Sequence, residues 1–133
     1  MHCKQNDNYN FSVTPSYVII SPSHNPRRHP MKIYNKLIRD KIPEIIKATG
    51  KKFYAHYAEK EDLLPLLETK LNEEVSEYLE AKNLEELADV MEVLFGLASV
   101  LGYSEEDLIN KRNEKKETRG GFEKGIVLEK VYD

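Results

Sequence analysis

The chain has 133 residues, of which 32% are charged and 40% hydrophobic, and its formal net charge is -3. This length suits one hydrophobic core rather than two ordinary domains, and the charge excludes the overall positive field that attracts nucleic acid or anionic lipid. Cys3 is the only cysteine, which excludes an intrachain disulfide, a redox pair and a multi-cysteine zinc site. We therefore expect a cytoplasmic protein, and no membrane partner, because the interrupted apolar run at residues 90–101 is too short to span a bilayer.

Residues 1–30 are rich in Asn, Ser, Pro and His and show no sustained period of 2 or 3.6. This composition predicts a disordered or loosely ordered extension, with a short strand at residues 17–20 as the alternative. The folded domain is expected to occupy residues 31–133. It opens with an irregular basic segment, followed by a short helix that has Pro43 in its first turn and Gly50 beyond its end.

A short strand is predicted next, because Phe53, Ala55 and Tyr57 alternate at a period of 2. A second helix follows, for which Asp62 can act as the cap, and it continues to about Ala81. After the Lys-Asn pair, a third helix is predicted from about residue 84 to residue 101. It is apolar around most of its circumference, which predicts a central, largely buried helix that needs cover on several sides.

Ser104 and Asp107 resemble a capping box that opens a fourth helix, which ends near residues 119–121. In the last segment Ile126, Leu128 and Val131 alternate loosely, and we expect it to pair with the strand at residues 53–57. The predicted fold is mainly α, a helical bundle with a minor two-stranded β ribbon.

Carboxylates fall on helix faces where apolar residues are expected. When the second helix is drawn at about 100° per residue, Glu74 lies within its apolar arc, Glu77 lies on the next turn of the same side and Glu73 lies at the edge. On the third helix, Glu86 and Asp89 begin a stripe that valines continue. If the two helices pack antiparallel, these acids form an oxygen-only cluster suited to Mg²⁺ or Mn²⁺. The alternative is a solvated acidic face with nearby lysine pairs.

Two basic sets are compatible with phosphate. One lies at residues 111–119 beside the glycines of "TRGGF", and the other is Lys36, Arg39 and Lys41 in "NKLIRDK". Because Mg²⁺ prefers few carboxylates together with substrate phosphate oxygens, a metal cluster and a phosphate site would complement each other. Either basic run can instead be an ordinary solvated surface.

With these residues in view, the chain resembles the MazG-like nucleotide pyrophosphohydrolases of the all-α NTP pyrophosphatase superfamily. The segment "YNKLIRDKIPEII" is similar to the opening of a subgroup named for phosphoribosyl-ATP pyrophosphohydrolase, and the resemblance covers residue 31 to about residue 131. One departure is an interval between Glu77 and Glu86 that is shorter than in most MazG proteins. The family's EExxE motif, its ExxD motif and its later Asn, Lys, Arg pattern match, in that order, Glu73, Glu74 and Glu77; Glu86 and Asp89; and Asn113, Lys116 and Arg119.

The resemblance implies hydrolysis of a nucleoside triphosphate, of house-cleaning type or related to phosphoribosyl-ATP, to a monophosphate and pyrophosphate. It implies that the four acids Glu74, Glu77, Glu86 and Asp89 hold Mg²⁺ and that Glu73 is the general base. Lys116 and Arg119 would bind the leaving pyrophosphate, Asn113 would orient substrate, and Lys36 and Arg39 would add phosphate contacts. A homodimer or higher homo-oligomer is the implied assembly.

Two other functions remain open from the sequence: a non-catalytic nucleotide or metal sensor of the same fold, and a helical interaction protein whose acids are only a surface. A di-iron site is discounted because the acidic helices lack the histidines of ExxH pairs. Nucleic acid is not the expected partner, because Glu114 and Glu117 interrupt the basic run at residues 111–119.

Overall fold

The computed structural model describes residues 31–133, and this part of the chain is mainly helical, with no strand assigned. The predictions for residues 1–30 lie outside the described residues. The four predicted helices are all present, and their ends agree with the sequence to within about three residues. They are α1 (Ile42–Ala48), α2 (Lys60–Ala81), α3 (Leu84–Val100) and α4 (Glu105–Arg119).

The turn between α2 and α3 consists of two residues with distinct roles. Lys82 adopts a left-handed backbone (φ 49°) and ends α2 by donating its N–H to the carbonyl oxygen of Tyr78 at 2.7 Å. Asn83 begins α3, because its side chain accepts a hydrogen bond from the backbone N–H of Glu86 at 2.9 Å. This short turn places α3 antiparallel to α2, and the two helices form the most extensive helix contact in the described chain.

Small and branched residues fill the contact between α2 and α3. Leu67 of α2 and Val93 and Ala98 of α3 are buried. Gly96 allows a close approach, since a Cβ atom at this position would lie 3.1 Å from Cδ2 of Leu67. The helix pair is therefore held at a fixed separation beside the acidic residues of both helices.

A second apolar cluster forms around α1. Ile42 and Ile46 are buried there, and residues from both flanking segments pack on them. Pro43 lies in the first turn as predicted, where its missing N–H removes no helical hydrogen bond. The packed residues from the flanking segments and from α1 itself are Tyr34, Ile38, Ile45, Phe53, Tyr54 and Ala55.

The β ribbon is not observed. Phe53, Tyr54 and Ala55 are consecutive, and all three pack against the α1 cluster, whereas a strand would turn alternate residues away from it. The expected partner segment is also unpaired as a strand, and its apolar side chains are largely exposed. The alternation at residues 53–57 therefore reflects a loop that packs on α1.

The capping box predicted for α4 is confirmed. Ser104 accepts a hydrogen bond from the backbone N–H of Asp107 at 3.0 Å, and Asp107 accepts one from the backbone N–H of Ser104 at 2.8 Å. The helix axis turns by 110° between α3 and α4. Among the described helices, α4 contacts α3 but not α2.

The prediction for α2 needs one correction. The N-cap is Glu59, with no side-chain capping bond, and Asp62 lies inside the first turn together with Glu61. Acids at this end interact favourably with the helix dipole, so the sequence signal was genuine but misplaced by one turn.

The prediction of a largely buried α3 is wrong for the single chain. Several of its leucines and Met91 are exposed, because α4 turns away and α2 covers one side only. No single helix among residues 31–133 has the length and apolarity needed to cross a membrane, and only the bent α3–α4 pair passes that test of length and composition when taken together.

Candidate metal centre

Three carboxylates meet at the contact between α2 and α3. Glu74 comes from α2, and Glu86 and Asp89 come from the first two turns of α3. One oxygen from each lies within 4.8 Å of the others. The three residues are 6%, 1% and 8% exposed, respectively, which makes them the most buried charged residues described.

The local sequence explains this convergence. Glu74 lies two helical turns after buried Leu67, within the face of α2 that packs on α3. Glu86 is the third residue of α3, and the Asn83 cap binds its backbone directly. Asp89 follows one turn later on the same face. The prediction that these acids lie on a contact face is confirmed.

A second acidic group consists of Glu73, Glu74 and Glu77, so Glu74 belongs to both groups. Glu73 and Glu77 are half-buried, whereas Glu74 is buried. Glu77 therefore adjoins the buried group of Glu74, Glu86 and Asp89 through Glu74.

Three cations of the described segment, residues 31–133, lie against these acids. Lys36 donates a hydrogen bond to Oε1 of Glu73 at 2.9 Å, and Arg39 donates one to Oδ1 of Asp89 at 2.7 Å. The irregular segment before α1 therefore lies across the acidic cluster. The sequence predicted Lys36 and Arg39 as phosphate contacts, and their place at the rim of the cluster is compatible with that role.

Lys70 is the third cation, and sequence reasoning missed it. Its Nζ lies 2.8 Å from Oε1 of Glu74 and 3.2 Å from Oε1 of Glu73. The signal was present in the helical spacing, because Lys70 precedes Glu73 by three residues and Glu74 by four. Burial lowers the pKa of Lys70, but its hydrogen bonds and charge attraction to Glu74 and Glu73 outweigh that effect and raise the pKa overall.

The charge state of Glu74 is balanced between opposing influences. Burial raises the pKa of its carboxyl group, Lys70 acts in the opposite direction, and the neighbouring Glu77 raises the pKa further. The net result is a raised pKa. Glu74 therefore lacks enough positive charge around it to hold its ionised form as readily as a solvated glutamate does.

The donor set suits a hard divalent cation. Oε2 of Glu74 is buried and has no hydrogen-bond partner among the described residues, an arrangement that costs free energy unless a cation compensates it. All the candidate ligands are carboxylate oxygens, which Mg²⁺ and Mn²⁺ prefer, and neither group contains a histidine or cysteine that would favour zinc.

Three residues predicted to bind substrate lie on α4. Asn113, Lys116 and Arg119 are exposed, and Nζ of Lys116 lies 3.7 Å from Oε1 of Glu123. Because α4 does not contact α2, the described chain does not bring these residues to the acidic cluster. Their role in phosphate binding stays a prediction.

In comparisons with family models, curated proteins and solved structures, nothing matches this chain.

Proposed function

We propose that this protein is an Mg²⁺-dependent nucleotide pyrophosphohydrolase that releases pyrophosphate and a nucleoside monophosphate. The observation that carries the proposal is the buried group of Glu74, Glu86 and Asp89, whose oxygens lie within 4.8 Å of one another at the junction of two helices. Burial of carboxylates in a helix contact is unfavourable unless cations balance them. A merely acidic surface therefore does not explain why three of them lie there. The resemblance to MazG-like proteins supplies the reaction class.

The acidic residues divide between two tasks in this proposal. Glu74, Glu86, Asp89 and the adjoining Glu77 hold the metal, and Mn²⁺ could replace Mg²⁺ at such a site. The chemistry that Mg²⁺ supplies when bound is neutralisation of phosphate charge and activation of water. Glu73 is the proposed general base, since it lies beside the cluster and is more accessible than Glu74.

The cations of the rim would bind the substrate phosphates. Lys36 and Arg39 compensate acidic charge in the structure, and each has a flexible side chain that can turn from a carboxylate to a phosphate oxygen. Lys116 and Arg119 would bind the leaving pyrophosphate, and Asn113 would orient substrate. The substrate is a nucleoside triphosphate of house-cleaning type or a compound related to phosphoribosyl-ATP.

The test is pyrophosphate release with Mg²⁺ from a panel of standard and modified nucleoside triphosphates and phosphoribosyl-ATP. Glu74→Gln should abolish release, whereas Glu92→Gln, an exposed acid of the same helix pair, should leave it unchanged. Circular dichroism on both variants verifies folding. If no compound releases pyrophosphate although Mg²⁺ binds to the folded protein, the hydrolase proposal is wrong and the sensor remains.

Metal titration distinguishes the remaining possibility, an interaction protein with a merely acidic surface, from a protein with a metal site. A ligand that binds only the folded state raises its stability by about 2.7 kcal/mol at one hundred times its dissociation constant. A saturable rise in melting temperature with Mg²⁺ that is absent from Glu74→Gln therefore supports a metal site. No saturable effect in either protein supports the surface.

A homodimer is the proposed assembly, and an apolar stripe on α3 supports it. The stripe alternates intervals of three and four residues, the spacing with which two helices pack along a seam. All its members except buried Ala98 are between 41% and 80% exposed in the single chain. We call this set the α3 seam: Leu84, Leu87, Met91, Leu94, Ala98 and Leu101.

Light scattering on a size-exclusion column tests the dimer. Met91→Lys places a charge within the seam and should yield a monomer with unchanged helical content. Glu92→Lys, at the exposed adjacent position, should remain a dimer. A wild-type chain that is monomeric at high concentration would contradict the proposal.

A further inference from the structure

An open apolar groove lies between α3 and α4, away from the acidic cluster. Its cavity volume is about 760 Å³, and most of its lining is apolar. Asp107 and Lys111 contribute one charge of each sign. The apolar lining residues are Leu94, Leu97, Ala98, Leu101, Tyr103 and Leu108.

The segment after α4 carries apolar side chains that the chain leaves exposed. We call residues 122–132 the C-terminal arm. Each of its six large apolar residues is between 77% and 97% exposed, a proportion found in soluble proteins mainly where such residues bind a partner. They are Phe122, Ile126, Val127, Leu128, Val131 and Tyr132.

We propose that the C-terminal arm of one copy of this chain binds in the α3–α4 groove of a second copy. The inference rests on the homodimer proposed above and does not depend on hydrolase activity. It assigns an occupant to the groove and a function to the arm.

The exposed apolar area of the arm is large enough for such an exchange. Six apolar side chains of this size present on the order of 800 Å² of surface, about the area that each partner contributes to an interface of standard size. A two-fold exchange would use this contact twice. The arm also carries Glu129 and Lys130, which provide one charge of each sign to face Lys111 and Asp107 of the groove.

The position of the groove favours a second copy over the arm of the same chain. Leu94, Ala98 and Leu101 belong both to the groove and to one end of the α3 seam, so a copy held along the seam at Leu84, Leu87 and Met91 lies next to the groove and leaves these three residues to the arm. Gly120 lies nine residues after Lys111, and the arm begins beyond it. To reach the groove of its own chain, the arm would have to fold back along α4. In the structure it does not do so, since its apolar side chains are exposed.

Disulfide trapping tests the exchange in the 133-residue chain with Cys3→Ser. Chains carrying Leu128→Cys are mixed with tagged chains carrying Leu101→Cys, and a mild oxidant is added. A mixed disulfide between the two chains is the expected result. The matched control replaces Leu101→Cys with Glu117→Cys, an exposed position on α4 outside the groove.

Two results would overturn the proposal. One is a yield of mixed disulfide no higher than that of the Glu117→Cys control. The other is a disulfide that forms only within a chain carrying both Leu128→Cys and Leu101→Cys, which would place the arm in its own groove.

The dissociation constant of the dimer is an independent measurement. It also distinguishes the contribution of the arm contact from that of the seam contact. Leu128→Asp should raise the dimer dissociation constant at least about tenfold, because it places a charge where an apolar side chain is buried. Glu129→Gln should change it little. If the dimer forms but Leu128→Asp leaves its dissociation constant unchanged, the arm proposal is wrong while the seam proposal survives.

Discussion

Arg39 donates a hydrogen bond from Nη2 to Oδ1 of Asp89 at 2.7 Å, across 50 residues of sequence. The contact joins the irregular segment before α1 to the first turns of α3. It also places a guanidinium group at the edge of a carboxylate cluster that Lys36 and Lys70 contact as well. The pair therefore contributes to both folding and the candidate site.

Replacement of Arg39 should destabilise the metal-free protein. Arg39→Met leaves the largely buried Asp89 without its cation, and we expect the free energy of unfolding to fall by about 1–2 kcal/mol, between the values for exposed and buried pairs. Mg²⁺ should restore part of the loss. Urea unfolding in EDTA and in Mg²⁺ measures both effects. The control is Lys111→Met, whose pair with Glu114 is exposed and should contribute less than about 0.5 kcal/mol.

The cap of α3 should influence the metal site, whereas the cap of α4 should not. Asn83→Ala removes the acceptor for the Glu86 backbone N–H, and Ser104→Ala removes the acceptor for that of Asp107. Each change should cost about 1 kcal/mol of stability. Only Asn83→Ala should also weaken Mg²⁺ binding, because the side chain of Asn83 holds the backbone of Glu86 in place. Calorimetry measures this binding. Equal Mg²⁺ affinity in the two variants would contradict this link.

Glu73→Gln should separate catalysis from metal binding. If Glu73 is the general base, its loss should lower kcat by about 10²–10⁴-fold, while Mg²⁺ affinity remains close to wild type because the buried group of Glu74, Glu86 and Asp89 is intact. Steady-state kinetics and Mg²⁺ titration provide the two readings. A variant that retains nearly full kcat would remove Glu73 from the mechanism.

The stability of the metal-free protein should fall as pH rises above the ordinary glutamate range. The pKa of Glu74 is raised from 4.5 in the folded state, chiefly by burial, so the folded chain binds this proton more tightly than the unfolded chain. The contribution of Glu74 is then fully present below the unfolded pKa and is lost as pH rises through the folded pKa. Urea midpoints between about pH 4 and pH 7 in EDTA should show this decline, and Glu74→Gln should reduce it.

Mg²⁺ should act in the opposite direction over the same pH range. Because the metal binds the deprotonated carboxylate, its stabilising effect should increase with pH. The comparison is the difference between urea midpoints with and without Mg²⁺ at each pH. A difference that stays constant with pH would show that Glu74 is not a ligand.

The helices could be predicted because their ends carry local signals. Pro43, the Lys82–Asn83 turn and the Ser104–Asp107 capping box act within one turn of chain, and each lies at a helix end in the structure. The convergence of Glu74, Glu86 and Asp89 was also accessible, since helical period and a short turn determine which faces meet. These features depend on neighbouring residues and on little else.

Features that depend on distant contacts were harder to predict. The alternation at residues 53–57 indicated a strand, but the α1 cluster attracts three consecutive residues from this segment, and packing overrides the pattern. Nothing periodic in residues 31–41 indicates that Lys36 would pair with Glu73, because irregular segments follow the surfaces they cover. The exposure of α3 likewise depends on what lies beside it, which a single helix pattern does not specify.

The two-residue turn after α2 determines which faces of α2 and α3 meet. Adding one residue to the start of α3, between Asn83 and Glu86, would move Glu86 and Asp89 by about 100° around the helix axis relative to α2. Both helices would retain their own hydrogen bonds, yet Glu86 and Asp89 would swing away from Glu74. A single insertion or deletion at this place should therefore displace the acids further than a substitution such as Asn83→Ala, which weakens the cap but leaves the register of α3 unchanged.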